Sequence, residues 1–127
     1  MQLISDREDE TMSDFATMVD RYLAVWNESD PAARRAAIDD LFAEDVRYVD
    51  PLAAVSGRAA LTELIGAVQQ QFPGLKFTTG GLVDGHHDQV RFTWNLGPAA
   101  GFDVAELDAD GRIRTVLGFL DRTEGLS

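Results

Sequence analysis

The stretch Arg47-Tyr48-Val49-Asp50-Pro51 decides how this chain is read. It closes a short apolar run with a carboxylate placed directly before a proline. The proline ring disfavours α geometry in the residue ahead of it, so Asp50 is expected to be extended. Asp-Pro is also a common turn start, and two readings of Asp50 follow. It turns the chain toward the next helix, or it holds its carboxylate for chemistry.

Working toward the N-terminus, Phe15, Met18, Val19, Tyr22, Leu23 and Trp26 follow the spacing of one helical face, which predicts a helix over about Thr11–Asn27. Tyr22 lies on that buried stripe, and its hydroxyl needs a partner. Asp30-Pro31 is a helix start, with Asp30 as N-cap and Pro31 in the first turn. The second helix is expected to run to about Ala43, with Arg34 and Arg35 in solvent. Val46–Asp50 then reads as a short extended segment.

On the other side of Pro51, Ser56-Gly57 opens a third helix over about Arg58–Gln71, which Pro73-Gly74 stops. The remainder reads as β structure. Strands are expected at Leu75–Val83, His87–Leu96, Phe102–Leu107 and Arg112–Asp121. The connections between them are Asp84-Gly85, a loop over Gly97–Gly101, and Asp108–Gly111. Helices followed by an antiparallel meander give an α+β fold, with the helices covering one face of the sheet.

Composition sets the outer limits. The chain of 127 residues predicts one domain over 11–127, preceded by an acidic, frayed tail over 1–10. A net charge of -11 argues against nucleic acid and anionic membranes as partners. No signal peptide or membrane-length apolar run is read, and cysteine is absent, which fits a cytoplasmic location. His86-His87 are adjacent and are expected to point to opposite faces of a strand. No third ligand stands at convincing spacing, so no metal site is expected.

Three motifs carry a family resemblance. They are Tyr48-Val49-Asp50-Pro51 followed by Gly57 and a helix, His86-His87-Asp88 leading into Arg91-Phe92-Thr93-Trp94, and Asp108-Ala109-Asp110-Gly111-Arg112-Ile113 entering a strand that ends at Gly118-Phe119. With the order of elements, they make the chain resemble the nuclear transport factor 2-like superfamily, in the branch of the SnoaL-like polyketide cyclases and ketosteroid isomerases. The resemblance spans about Phe15 to Asp121. It implies a cone: a curved antiparallel sheet wrapped around three N-terminal helices, enclosing an apolar cavity. It also implies a homodimer formed through the sheet, a small hydrophobic molecule as partner, and no cofactor.

The isomerase resemblance further implies roles. Asp50 corresponds to the base aspartate before proline, Tyr22 (after Arg21) to the oxyanion tyrosine, and Asp103, eight residues before Gly111, to the protonated oxyanion aspartate. The alternation of the strand supports Asp103 in part, since it shares a face with Ala105 and Leu107 while Glu106 faces away with Val104. An aspartate on an apolar face is either desolvated or paired, and both readings stand. Trp26, Phe92, Trp94 and Phe119 are the expected cavity wall and ligand contacts. Three functions stay open: an isomerase or cyclase acting by proton transfer next to the carbonyl of a steroid- or polyketide-like compound, a non-catalytic ligand-binding or dimeric interaction module, and a structural protein whose cavity its own aromatic rings fill.

Overall fold

A computed structural model describes residues 5–123 of the chain, and the side chains of 14–123. In chain order the elements are α1 (Ser5–Asn27), α2 (Pro31–Leu41), β1 (Phe42–Val49), β2 (Ala54–Ser56), α3 (Arg58–Gln71), β3 (Phe77–His86), β4 (Gln89–Leu96), β5 (Ala99–Leu107) and β6 (Ile113–Arg122). The six strands form one sheet in the order β2-β1-β6-β5-β4-β3. All neighbours are antiparallel except β1 and β6, which run parallel. The meander expected from the sequence is thus extended by an earlier strand inserted beside the last one. Among the described residues no helix is long and apolar enough to cross a membrane.

The apolar stripe of α1 packs onto the sheet. Phe15, Met18, Val19, Tyr22, Leu23 and Trp26 are all buried, together with Ile38 and Leu41 of α2, Leu61 and Ile65 of α3, and Val90, Phe92, Ala105, Ile113 and Val116 of the sheet. Burial of this apolar surface is the main stabilising term. The start of α2 is as expected: Asp30 accepts a hydrogen bond from the Ala33 N–H at 2.8 Å, and Pro31 is the first helical residue.

Several boundaries differ from the sequence reading. Residues 5–10 belong to α1, and the remainder of the expected acidic tail, residues 1–4, lies outside the described residues. The second helix ends at Leu41 because Phe42 turns extended (φ -107°, ψ 147°) and enters the sheet, where it pairs with Ile113. Asp84-Gly85 is not a turn. Both residues lie within β3, and Gly85 is needed where the Phe15 ring of α1 presses on the strand: a Cβ there would come within 2.8 Å of that ring. The turn falls at His87-Asp88, where His87 takes a positive φ of 57°. That conformation brings the His86 and His87 rings together, Nδ1 to Nδ1 at 2.9 Å, and not onto opposite faces. The expected loop over Gly97–Gly101 is shorter, since β5 already starts at Ala99.

Arg34 is buried, contrary to the expectation of a solvated side chain; Arg35 is exposed and pairs with Asp39. The reason is the C-terminal end of α1, whose last carbonyls have no helical partner. Arg34 donates to the carbonyl of Glu28 at 3.0 Å and to Gln69 Oε1 at 2.8 Å. Gln69 in turn donates to the carbonyls of Trp26 and Glu28, both at 2.8 Å. Asn27 binds the backbone N–H and carbonyl of Phe77 at 2.7 and 2.8 Å. These contacts fix the end of α1, and with it Trp26, against α3 and the start of β3.

Candidate active site

A pocket opens between the end of α1, the C-terminal part of α3 and the concave face of the sheet. Its lining includes Tyr22, Trp26, Tyr48, Asp50, Leu52, Phe72, Phe77, Trp94, Asp103 and Phe119. About 580 Å³ of space lies within it, open mouth included, and its enclosed part is about 70 Å³. Its wall is apolar and aromatic, with two carboxylates set into it.

Asp103 sits in the middle of β5 and is 3% exposed. Its partners are neither an arginine nor a turn. Tyr22 donates its O–H to Oδ2 at 2.8 Å, and Trp94 donates its indole N–H to Oδ1 at 3.3 Å. The Asp103 carboxyl is raised from 3.8 to about 6: burial pushes it up, the Tyr22 and Trp94 hydrogen bonds pull part of that back, and the charge of Asp50 adds to the rise. The phenol of Tyr22 is pushed well above its ordinary value by burial first and by Asp103 second.

Asp50 follows directly on β1. Its two oxygens have separate partners. Oδ1 accepts from the backbone N–H groups of Leu52 and Ala53, both at 2.8 Å, which turns the chain toward β2. Oδ2 accepts from the Tyr48 hydroxyl at 2.6 Å, and the residue lines the pocket. Tyr48 was not singled out from the sequence as a site residue. Its signal was its position two residues before Asp50 in an extended segment, which places both on one face. Burial, then Asp103 and Asp50, push its phenol well above the ordinary value.

Sheet register brings the two carboxylates together. Val49 pairs with Leu117, so Asp50 comes level with Gly118, and Gly118 is itself the partner of Asp103. A Cβ on Gly118 would lie 2.8 Å from Asp103 Oδ1 and 3.1 Å from the Asp50 Cβ. Only a glycine lets both side chains close over that position. Gly101 does the same for Trp94, its cross-strand partner: a Cβ there would collide with the indole ring that reaches over to Asp103.

Tyr22, Asp50 and Asp103 therefore line one pocket. Trp26 and Trp94 form part of its wall. Phe92 does not line it; it is fully buried behind Tyr22, ring edge to ring face at 5.1 Å. Its position on the same strand face as Trp94 made the two indistinguishable in the sequence. Phe119 lines the pocket but is 49% exposed, its ring stacked on Phe102. Among the described residues no group of three or more potential metal ligands converges.

The chain matches the family described as SnoaL-like domain over residues 19–116. Among solved structures it is similar to a protein from Agrobacterium tumefaciens provisionally assigned as an isomerase of the SnoaL-like family. That match has 41% identity and a TM-score of 0.84, covering 86% of this chain and 98% of the other. A SnoaL-like polyketide cyclase from Jannaschia, also provisionally assigned, shares 19% identity at a TM-score of 0.66, with 84% of this chain and 86% of that one covered. A protein of ketosteroid isomerase-like fold from Catenulispora acidiphila, in complex with trimethylamine, shares 18% at 0.67, with 80% and 82% covered. No curated protein matches the chain. The pocket thus lies in the cone of an NTF2-like fold, and the chain belongs to the SnoaL-like domain family.

Proposed function

We propose that the pocket catalyses cofactor-independent proton transfer next to a carbonyl, in an isomerisation or cyclisation of a hydrophobic compound. The observation that carries this reading is the pair of carboxylates on either side of Gly118 in one apolar pocket, held in different surroundings. Asp50 is bonded by backbone N–H groups and a phenol at the pocket wall, whereas Asp103 is buried and raised toward neutrality. Two carboxyls in such contrasting environments divide naturally into a base and an acid.

In this mechanism Asp50 takes the proton from the carbon beside the carbonyl. The C–H electron pair moves into the adjacent bond, and the carbonyl oxygen gains the negative charge. Protonated Asp103, polarised by Tyr22 and Trp94, supplies the hydrogen bond to that oxygen. Asp50 then returns the proton to a second carbon, or the enolate carbon attacks a second carbonyl carbon of the same substrate, whose C=O π pair moves onto its oxygen and takes the proton from Asp50. An apolar wall strengthens each of these interactions by keeping water away. The small free space admits the reacting ring or group and leaves the rest of a steroid- or polyketide-sized substrate at the mouth. The homodimer implied by the sequence resemblance is retained as part of this proposal.

Exchange of α-protons in deuterated water, followed by NMR on a panel of cyclic ketones, tests the proposal without knowledge of the natural substrate. Asp50→Asn is expected to lower the exchange rate by about a hundredfold or more, as for loss of a general base. Exchange by the variant at the unaltered rate would sink the assignment.

A further inference from the structure

We infer that this pocket also binds a quaternary ammonium group. The rings of Tyr48, Trp26, Phe77 and Trp94 form a continuous wall, with successive centroids 5.5, 5.5 and 5.3 Å apart. Each end of that wall is tied to a carboxylate: Tyr48 bonds Asp50, and Trp94 bonds Asp103. The lining contains no lysine, arginine or histidine. Aromatic faces and anionic oxygens both attract a cation, and the attraction grows as water is excluded. An anionic ligand would meet two carboxylates and no counter-charge.

The hydrogen bonding selects the kind of cation. A primary ammonium brings three N–H groups that need acceptors once buried. The carboxylate oxygens here are already engaged by Tyr22, Trp94, Tyr48 and the N–H groups of Leu52 and Ala53. A quaternary ammonium spreads its charge over its methyl groups, has no N–H and asks for no acceptor. Its headgroup has only a few heavy atoms, which suits the small free space.

This inference goes beyond the proton-transfer reading and does not rest on it. A bound cation holds Asp103 ionised, whereas the proposed proton transfer uses its neutral form, so the two are read by different assays. The test is a tryptophan-fluorescence titration of the full chain with choline and with its uncharged carbon isostere, dimethylbutanol, at matched ionic strength. Choline is expected to bind at least about tenfold more tightly than the isostere. Asp103→Asn is expected to shrink that preference by about threefold or more. Equal binding of the two compounds, no binding of choline up to about 100 mM, or an unchanged preference in the variant would overturn the inference. Should the variant fail to fold, the comparison on the native chain decides alone.

Discussion

Replacing Asp103 by asparagine removes one titrating group from the centre of the sheet and leaves its volume in place. The folded carboxyl titrates at about 6 against an ordinary value of 3.8, chiefly because burial penalises its charge. Such a difference corresponds to about 3 kcal/mol. The sign follows from proton counting. Between 3.8 and about 6 the folded state holds the proton more tightly than the unfolded chain, so stability falls as pH rises across that window. The contribution is complete below the unfolded value and lost above the folded one. Asparagine cannot ionise, so the variant escapes that loss. It keeps one acceptor where Asp103 has two, which adds an offset that does not depend on pH, because Tyr22 or Trp94 loses its present acceptor. Urea unfolding of both proteins at steps from about pH 4 to about pH 8 isolates the effect, since the other acidic groups are common to both. The stability of the variant relative to the native chain is expected to rise by about 2.5 kcal/mol over this range and to level off above about pH 7. A difference that stays flat, or falls with pH, would refute the argument that burial dominates over the Tyr22 and Trp94 hydrogen bonds.

Gly118→Ala places a methyl group 2.8 Å from Asp103 Oδ1 and 3.1 Å from the Asp50 Cβ, so one carboxylate must move. An overpacking cost of about 1–3 kcal/mol is expected in urea unfolding, together with loss of the ketone-exchange activity even where the fold survives. Arg34→Ala strips Gln69 Oε1 and the end of α1 of a buried donor; a loss of about 2–3 kcal/mol is expected in thermal unfolding, and a change near zero would show that water replaces it.

Much of the architecture was legible in the sequence because it rests on local periodicity. The stripe from Phe15 to Trp26 has one helical solution, and its residues are buried as a face of α1. Arg58–Gln71 is bounded by Gly57 and Pro73, and α3 has those limits. The alternation in β5 puts Asp103 inward and Glu106 outward, where it pairs with Arg114. Local rules failed where a residue answers to a distant partner. Gly85 looked like a turn glycine and is shaped by Phe15; Arg34 looked solvated and is drawn in by carbonyls at the end of another helix.

The same division runs through the site. The sequence by itself marked Asp50 as extended before Pro51, put Tyr22 on a buried stripe and put Asp103 on an apolar face. Tertiary structure alone decided that the three share a pocket. That depends on β6 lying between β1 and β5, parallel to one and antiparallel to the other. Strand order and register are set by the packing of the whole sheet, and no local propensity encodes them. It also decided what each group does there: Tyr22 donates a hydrogen bond to Asp103, Tyr48 donates one to Asp50, and Gly118 leaves room for both carboxylates. Hydrogen-bond partners and desolvation are properties of the neighbours in space, and Tyr22, which helps to bury Asp103 and bonds it, stands 81 positions away from it in the chain.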